Sequence, residues 1–247
     1  MSNKTYILLI IVIFITACNK PDAPNFIKST GEQTTETRTL SNFSTIDLKG
    51  KITLYLIKST TNKVEITGGK NLLSKIKTDI TDSTLTIDNN NTFNWVRSYK
   101  KAEIVVNLYF TNINKFYIRG EDKVYSKDSL NVDNLSLEVH SGITDINLIF
   151  NSNNLDIVIH DGAGDVKISG KTNKLYTWNN GMALINFRNL QTNSIYFVGK
   201  SINKSYINCN GVLDIDLYEN GDIYYYGNPT KINERNYSKE AKLIKAD

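Results

Sequence analysis

From Leu40 onward, apolar and polar residues alternate in short runs. Ile52, Leu54 and Leu56 are separated by Thr53 and Tyr55; Leu135, Leu137 and Val139 are separated by Ser136 and Glu138. The same two-residue period returns at Leu85 and Ile87, at Leu155, Ile157 and Ile159, and at Leu213, Ile215 and Leu217. Such a period puts one face of a strand inside and the other in water, and the aliphatic residues involved suit a pleated surface. Asn, Asp, Gly and Ser, the turn formers, punctuate the runs. A helical stripe is visible only over 71–77, where Leu72, Leu73 and Ile76 can share one face. The pattern predicts an all-β chain.

A longer period overlies the short one. His140-Ser141-Gly142 recurs as His160-Asp161-Gly162, and Asp145-Ile146 recurs as Asp165-Val166, each twenty residues on. Leu135, Leu155 and Leu175 keep the same step, and Asn180-Gly181 follows Asp161-Gly162 after nineteen. Self-similarity at this length marks a solenoid. With two or three short strands per period and no helix, the coil is a parallel β-helix with rungs of about 19–20 residues. Each rung then stacks aliphatic on aliphatic, and Asn, Ser and Thr at the corners can bond along the stack. A closed sandwich or barrel is the alternative this alternation also permits.

Ahead of this body lies an address. Met1–Thr5 holds one cation, Lys4, and Tyr6–Ile15 is an unbroken apolar run too short to span a ~30 Å hydrocarbon core, so 1–17 reads as a signal peptide. Ile15-Thr16-Ala17-Cys18 resembles the lipobox of bacterial lipoproteins. That resemblance implies an acylated, palmitate-bearing Cys18 as mature N-terminus; Asn19, where an Asp would resemble an inner-membrane retention signal, favours the outer membrane. Residues 18–37, with Pro21, Pro24, Gly31 and few apolar positions, read as a tether, and the domain is expected over 38–247.

Composition narrows the chemistry. The chain has 247 residues, a net charge of +4, 2 Cys and 2 His. This excludes a disulfide scaffold and a multi-Cys zinc module, and no basic run is long enough for nucleic acid. With Cys18 lipidated, Cys209 is alone, flanked by Ile207 and Val212, and far from either histidine; it reads as a buried structural thiol. His140 and His160 fall at one offset on successive rungs, and a metal with Asp145 or Asp161 is conceivable; the structural reading as outward turn residues is preferred. Asp145 and Asp165 form a similar stacked pair without adjacent Arg or Lys clusters. No catalytic residue, metal ligand or cofactor is assigned. The candidate binding surface consists of Phe93, Trp95 and Tyr99 in an Asn-rich loop, with Tyr224 and Tyr226, which share one strand face; an aromatic cap on the coil's end is the competing role for the tyrosines.

Several segments also resemble a family. Arg38-Thr39-Leu40-Ser41-Asn42-Phe43-Ser44-Thr45-Ile46-Asp47-Leu48, Val64-Glu65-Ile66-Thr67-Gly68 and Gly162-Ala163-Gly164-Asp165-Val166 are similar to stretches of the auto-transporter adhesin head GIN domain, a domain of unknown function. Asn220-Gly221-Asp222-Ile223-Tyr224-Tyr225-Tyr226-Gly227-Asn228-Pro229 resembles its closing signature. The resemblance, over roughly 38–230, implies a right-handed β-helix without the catalytic set of pectin lyases, and a role in adhesion or surface binding. Residues 179–183 and 199–204 lack the family's full Gly-x-Gly-Asp turn, which predicts looser rungs or different turns there. The reading is therefore a lipid-anchored, non-catalytic envelope module that binds a glycan or an envelope protein. The alternatives are a polysaccharide-acting enzyme on the same scaffold and a structural envelope component. An open coil end further predicts a homodimer.

Overall fold

The computed structural model describes residues 30–91, 103–238 and 240–247. The signal peptide, Cys18 and the loop residues Phe93, Trp95 and Tyr99 lie outside the described residues. The first part of the chain forms β1 (Gln33–Thr39), β2 (Thr45–Lys49), β3 (Thr53–Lys58), β4 (Lys63–Gly69), a single helical turn α1 (Lys70–Leu73), β5 (Ile76–Thr81), β6 (Thr84–Asn89) and β7 (Val105–Phe110). There follow β8 (Lys115–Ile118), β9 (Lys123–Ser126), β10 (Leu130–Asn131), β11 (Asn134–Val139), β12 (Ile143–Ile159) and β13 (Ala163–Asn179). The chain ends with β14 (Met182–Asn186), β15 (Leu190–Gly199), β16 (Ser205–Leu217), β17 (Ile223–Tyr226), β18 (Lys231–Tyr237) and β19 (Leu243–Lys245).

These strands wind into a β-solenoid, not a sandwich or barrel. Leu135 lies opposite Leu155 and Leu155 opposite Leu175 in parallel register, so the twenty-residue step of the sequence is one turn of coil. One side is built by β2, β8, β11, the C-terminal parts of β12, β13, β15 and β16, and β18. A second is built by β3, β9, the N-terminal parts of β12 and β13, β14, the start of β16, β17 and β19. A narrow third side stacks β10 on Phe150 and Asn151, then Gly170–Thr172 and Leu190–Thr192.

Inward residues repeat from turn to turn because the register repeats. Phe116, Leu137, Ile157 and, beyond Thr177, Phe197 and Ile215 follow one another up the first side, and the aliphatic ones are buried with the phenylalanines. Each fully buried side chain of this size contributes roughly 1.5–3 kcal/mol by leaving water. The corners carry the expected amide ladders: Asn151 donates to Asn131 at 2.9 Å, and Asn193 donates to Asn173 at 2.9 Å. Cys209 is buried, as its apolar neighbours suggest.

The N-terminal end departs from simple winding. β6 and β7 pair on one side of β2 and β3, while β8 and β9 pair on the other, so the chain lays down an inner turn before the outermost one. The reversal is made by a two-residue hairpin, Asp82-Ser83, with φ of 47° and 61°, joining antiparallel β5 and β6. Positive φ at both central positions is the turn geometry that follows strand twist, and Asp tolerates it. The antiparallel trio β1, β4 and β7 closes the same end.

Two expectations are corrected and a third takes one of its two forms. The tether assigned to 18–37 overlaps β1, which pairs with β4 from Gln33 onward. Its Gln-Thr-Thr-Glu-Thr sequence is mostly exposed and contributes main-chain bonds instead of core, which apolar patterning cannot detect. The helical stripe over 71–77 shortens to α1, and Ile76 already opens β5. The rungs around 179–183 and 199–204 carry different turns: Gly181 and Gly199 lack the positive φ of Gly142 and Gly162, and β16 meets β14 only at Ser205 and Tyr206. Register also shifts between Thr192 and Ser194 and between Ile215 and Asp216.

Candidate binding surface

The turn repeated in the sequence positions the site. Gly142 and Gly162 adopt φ of 92° and 105°, and a Cβ on either would meet the carbonyl of the glycine one turn below, at 2.4 Å from Gly120 O and 2.6 Å from Gly142 O. Only glycine lets the backbones stack this closely. The residue that leaves each rung is held in register, its amide bonding to the rung beneath: His140 N to Ile118 O, His160 N to Val139 O, Asn180 N to Ile159 O, Lys200 N to Asn179 O, Tyr218 N to Gly199 O.

Outward side chains on this side form a continuous strip. Arg119 lies 5.1 Å from the Tyr117 ring, and Tyr117 lies 5.7 Å from His140. The imidazoles of His140 and His160 stack at 4.5 Å and 18°. His160 meets Trp178 edge-on at 5.2 Å, and Lys200 bridges the rings of Trp178 and Tyr218 at 5.7 and 5.3 Å. A shorter parallel row holds Tyr176 and Tyr196, 5.7 Å apart, with Arg235 over Tyr196 at 5.2 Å. At about 4.8 Å per rung, Tyr117 to Tyr218 spans roughly 24 Å.

Acceptors and donors flank the rings. Glu138 projects from the strand position beside His140, with Oε2 at 3.0 Å from His160 Nε2 and 3.3 Å from His140 Nε2. Burial first, then Arg119 and the neighbouring His160, hold His140 below the usual imidazole range, against the opposing pull of Glu138. The Tyr196 hydroxyl donates to Asp216 at 2.7 Å, and Asn236 donates to the same carboxylate. The Asn233 amide and Arg235 hold Asp214 below its ordinary value.

The predicted residues fall elsewhere. Tyr224 and Tyr226 face outward on the second side, where Tyr224 stacks on Tyr206 at 5.3 Å with Lys204 at 5.4 Å, and Arg188 lies 4.5 Å from Tyr206 and 5.7 Å from Tyr226. They do not cap the coil, because β19 covers β17. Tyr225 turns the other way and packs against the core. Asp145 and Asp165 do pair in register, both exposed, and the Tyr125 hydroxyl donates to Asp145 at 2.6 Å. The sequence reading missed Tyr117, Trp178, Lys200 and Tyr218. Lys200 and Tyr218 follow His140, His160 and Asn180 in one row, whereas Tyr117 and Trp178 lie in the adjacent row with Glu138 and Val158, which carries no aromatic repeat.

The fold is similar to that of several solved structures. A protein described as a "putative adhesin" from Bacteroides fragilis shares 20% identity at a TM-score of 0.77, with 87% of this chain and 97% of that chain covered. Proteins of the same description from Parabacteroides merdae and Parabacteroides distasonis share 16% and 15% identity at TM-scores of 0.61 and 0.63. The former alignment covers 89% of this chain and 98% of that one; the latter covers 87% and 98%. No curated protein sequence matches significantly. The family model described as "Putative auto-transporter adhesin, head GIN domain" matches residues 42–229, and the chain belongs to that family.

Proposed function

We propose that this protein is a non-catalytic adhesion module of the bacterial envelope, held to the outer membrane by lipid on Cys18, that binds an extended glycan along its aromatic strip. The strip is the observation that carries this reading. Its rings and polar groups repeat at the rung spacing, close to the length of one sugar unit in an extended chain, so successive units can meet the Tyr117 and Trp178 rings and the outward edges of the stacked His140 and His160 imidazoles. Aromatic rings offer large rigid contact area at little entropic cost, and the bordering carboxylates, amides and cations supply hydrogen bonds to hydroxyls. Membership of an adhesin-type family supports adhesion at the cell surface or envelope. The lipobox-like Ile15-Thr16-Ala17-Cys18 supports the anchor. The enzyme reading receives no comparable support: of its candidate carboxylates, Asp145 is engaged by Tyr125, and Asp165 is exposed beside it.

Fractionating cells that carry the wild type, Cys18→Ser or Trp178→Ala, and assaying the captured protein for bound polysaccharide, tests both parts. The wild type is expected in the membrane fraction with polysaccharide enriched. Cys18→Ser is expected in the soluble envelope fraction with polysaccharide still bound, and Trp178→Ala in the membrane with at least tenfold less. Equal capture by Trp178→Ala, or a protein partner in place of polysaccharide, overturns the glycan reading; membrane retention of Cys18→Ser overturns the anchor.

A further inference from the structure

The geometry points to a transition-metal site at Glu138, His140 and His160, taking a borderline divalent ion such as Zn2+, Ni2+ or Cu2+. One ligand atom from each of the three residues lies within 4.8 Å of the others. A metal at about 2.0–2.2 Å from two imidazole nitrogens and a carboxylate oxygen needs those atoms some 3–4 Å apart, so side-chain rotations of about an ångström close the set. The cage is presented by main chain: His140 and His160 are held on adjacent rungs by His140 N to Ile118 O and His160 N to Val139 O, both 2.9 Å. Glu138 sits two residues before His140 on the same outward face, in β11.

A second observation concerns His140 Nε2. The atom is shielded from solvent, and Glu138 Oε2 lies 3.3 Å from it and 3.0 Å from His160 Nε2, so one carboxylate oxygen is shared between the two imidazoles. A solvent-shielded ring nitrogen beside a second imidazole and a shared carboxylate places three donor atoms where modest ring rotation brings them onto one ion. The donor set selects the ion class. Two imidazoles and one carboxylate suit zinc, nickel or copper, whereas calcium and magnesium require an oxygen shell that this cluster lacks. All three side chains remain partly exposed, so water can complete the coordination. Tyr117 and Trp178 flank the pair at 5.7 and 5.2 Å and limit its movement along the strip. The inference does not depend on what else the strip binds.

The test uses untagged protein stripped with EDTA and dialysed free of it. Titration calorimetry with zinc chloride is expected to show one equivalent, with affinity falling at least tenfold in His140→Gln/His160→Gln and in Glu138→Gln. Circular dichroism in the absence of metal checks that each variant remains folded. Copper titration gives an independent readout in a Trp95→Phe background. There, Trp178 fluorescence is expected to be quenched to saturation at one equivalent and to stay unquenched in the double-histidine variant. Zinc heats alike in wild type and folded variants, or no saturable binding in the wild type, overturn the site. A calcium titration that matches the zinc one overturns the ion class.

Discussion

At the scale of single residues, Asp122 is the most costly side chain in the coil. It is fully buried in the turn entering β9; Oδ1 accepts the Ile52 amide at 3.1 Å, while Oδ2 has no partner. Burial, with a smaller push from Glu121, raises its pKa to about 7, against a partial opposing effect of the Ile52 amide. The folded chain therefore holds a proton between about pH 4 and 7 that the unfolded chain has released. Stability attributable to this group is greatest at the acid end of that window and declines as pH rises toward 7, the reverse of a salt-bridged carboxylate. Three pH units correspond to about 4 kcal/mol at most. Asp122→Asn keeps an acceptor for Ile52 and has no charge to bury. Urea midpoints at pH 4.5 and 7.5 should differ less in the variant than in the wild type, with the variant gaining at pH 7.5; an identical pH dependence in both proteins would refute the assignment. Nothing in the run Gly120-Glu121-Asp122 distinguishes this carboxylate from an exposed turn residue. Its burial arises only when Gly50 and Gly120 bring two turns together, with a Cβ at Gly120 falling 2.8 Å from Gly50 O.

At the scale of elements, the same close approach explains what the sequence revealed and what it hid. The repeated dipeptide before β12, β13 and β14 was legible because glycine is required in each of those turns, and the alternating leucines were legible because each rung buries its own copy. Those two signals determine register, and register places His140 over His160. Glu138 is not marked by the repeat, which draws the eye to the aspartates that follow each turn, whereas strand pleat puts residues 138 and 140 on one face. Trp178 escaped notice for a related reason: its row contains valines at Val158 and Val198, so no aromatic repeat marks it. The polar strand β1 was hidden because an edge strand can be held by main-chain bonds alone. The glycine requirement has a measurable consequence. Gly162→Ala must carry a side chain at φ 105° and press it within 2.6 Å of Gly142 O. The expected loss is about 3 kcal/mol, combining backbone strain with overpacking. Asn180→Ala, one rung on, forfeits only an exposed bond to His160 O and should cost about 1 kcal/mol or less. Chemical denaturation of the two variants reads the contrast; comparable losses would show that the stacked turns tolerate a Cβ.

At the scale of the molecule, the ends of the coil decide whether it stays single. A bare rung exposes unpaired amides and carbonyls that invite a second chain, the basis for expecting a homodimer. At both ends further strands cover the regular coil, and among the described residues their own outer edges stay open. Antiparallel β1, β4 and β5 cover the first, and at the other β18 and β19 cover β16 and β17. β18 carries Lys231, Glu234 and Arg235 on a largely exposed strand, and Arg235 and Asn233 tie it to Asp214 at 3.0 and 2.8 Å. Charged edge residues penalise pairing with another edge, because a docking strand would have to desolvate them. The full chain is accordingly expected to sediment as a monomer. A chain ending at Thr230 loses both covering strands and uncovers the edges of β16 and β17, where Leu213, Ile215 and Ile223 are otherwise fully buried. β17 carries no charged residue, so association edge to edge becomes favourable there, while Asp214 and Asp216 still guard the edge of β16. Sedimentation velocity at matched concentrations should show dimers or larger species for the truncated chain alone. A truncated chain that remains monomeric would mean that β18 and β19 contribute stability without guarding the edge, while a full-length dimer would locate self-association on a surface other than these two ends.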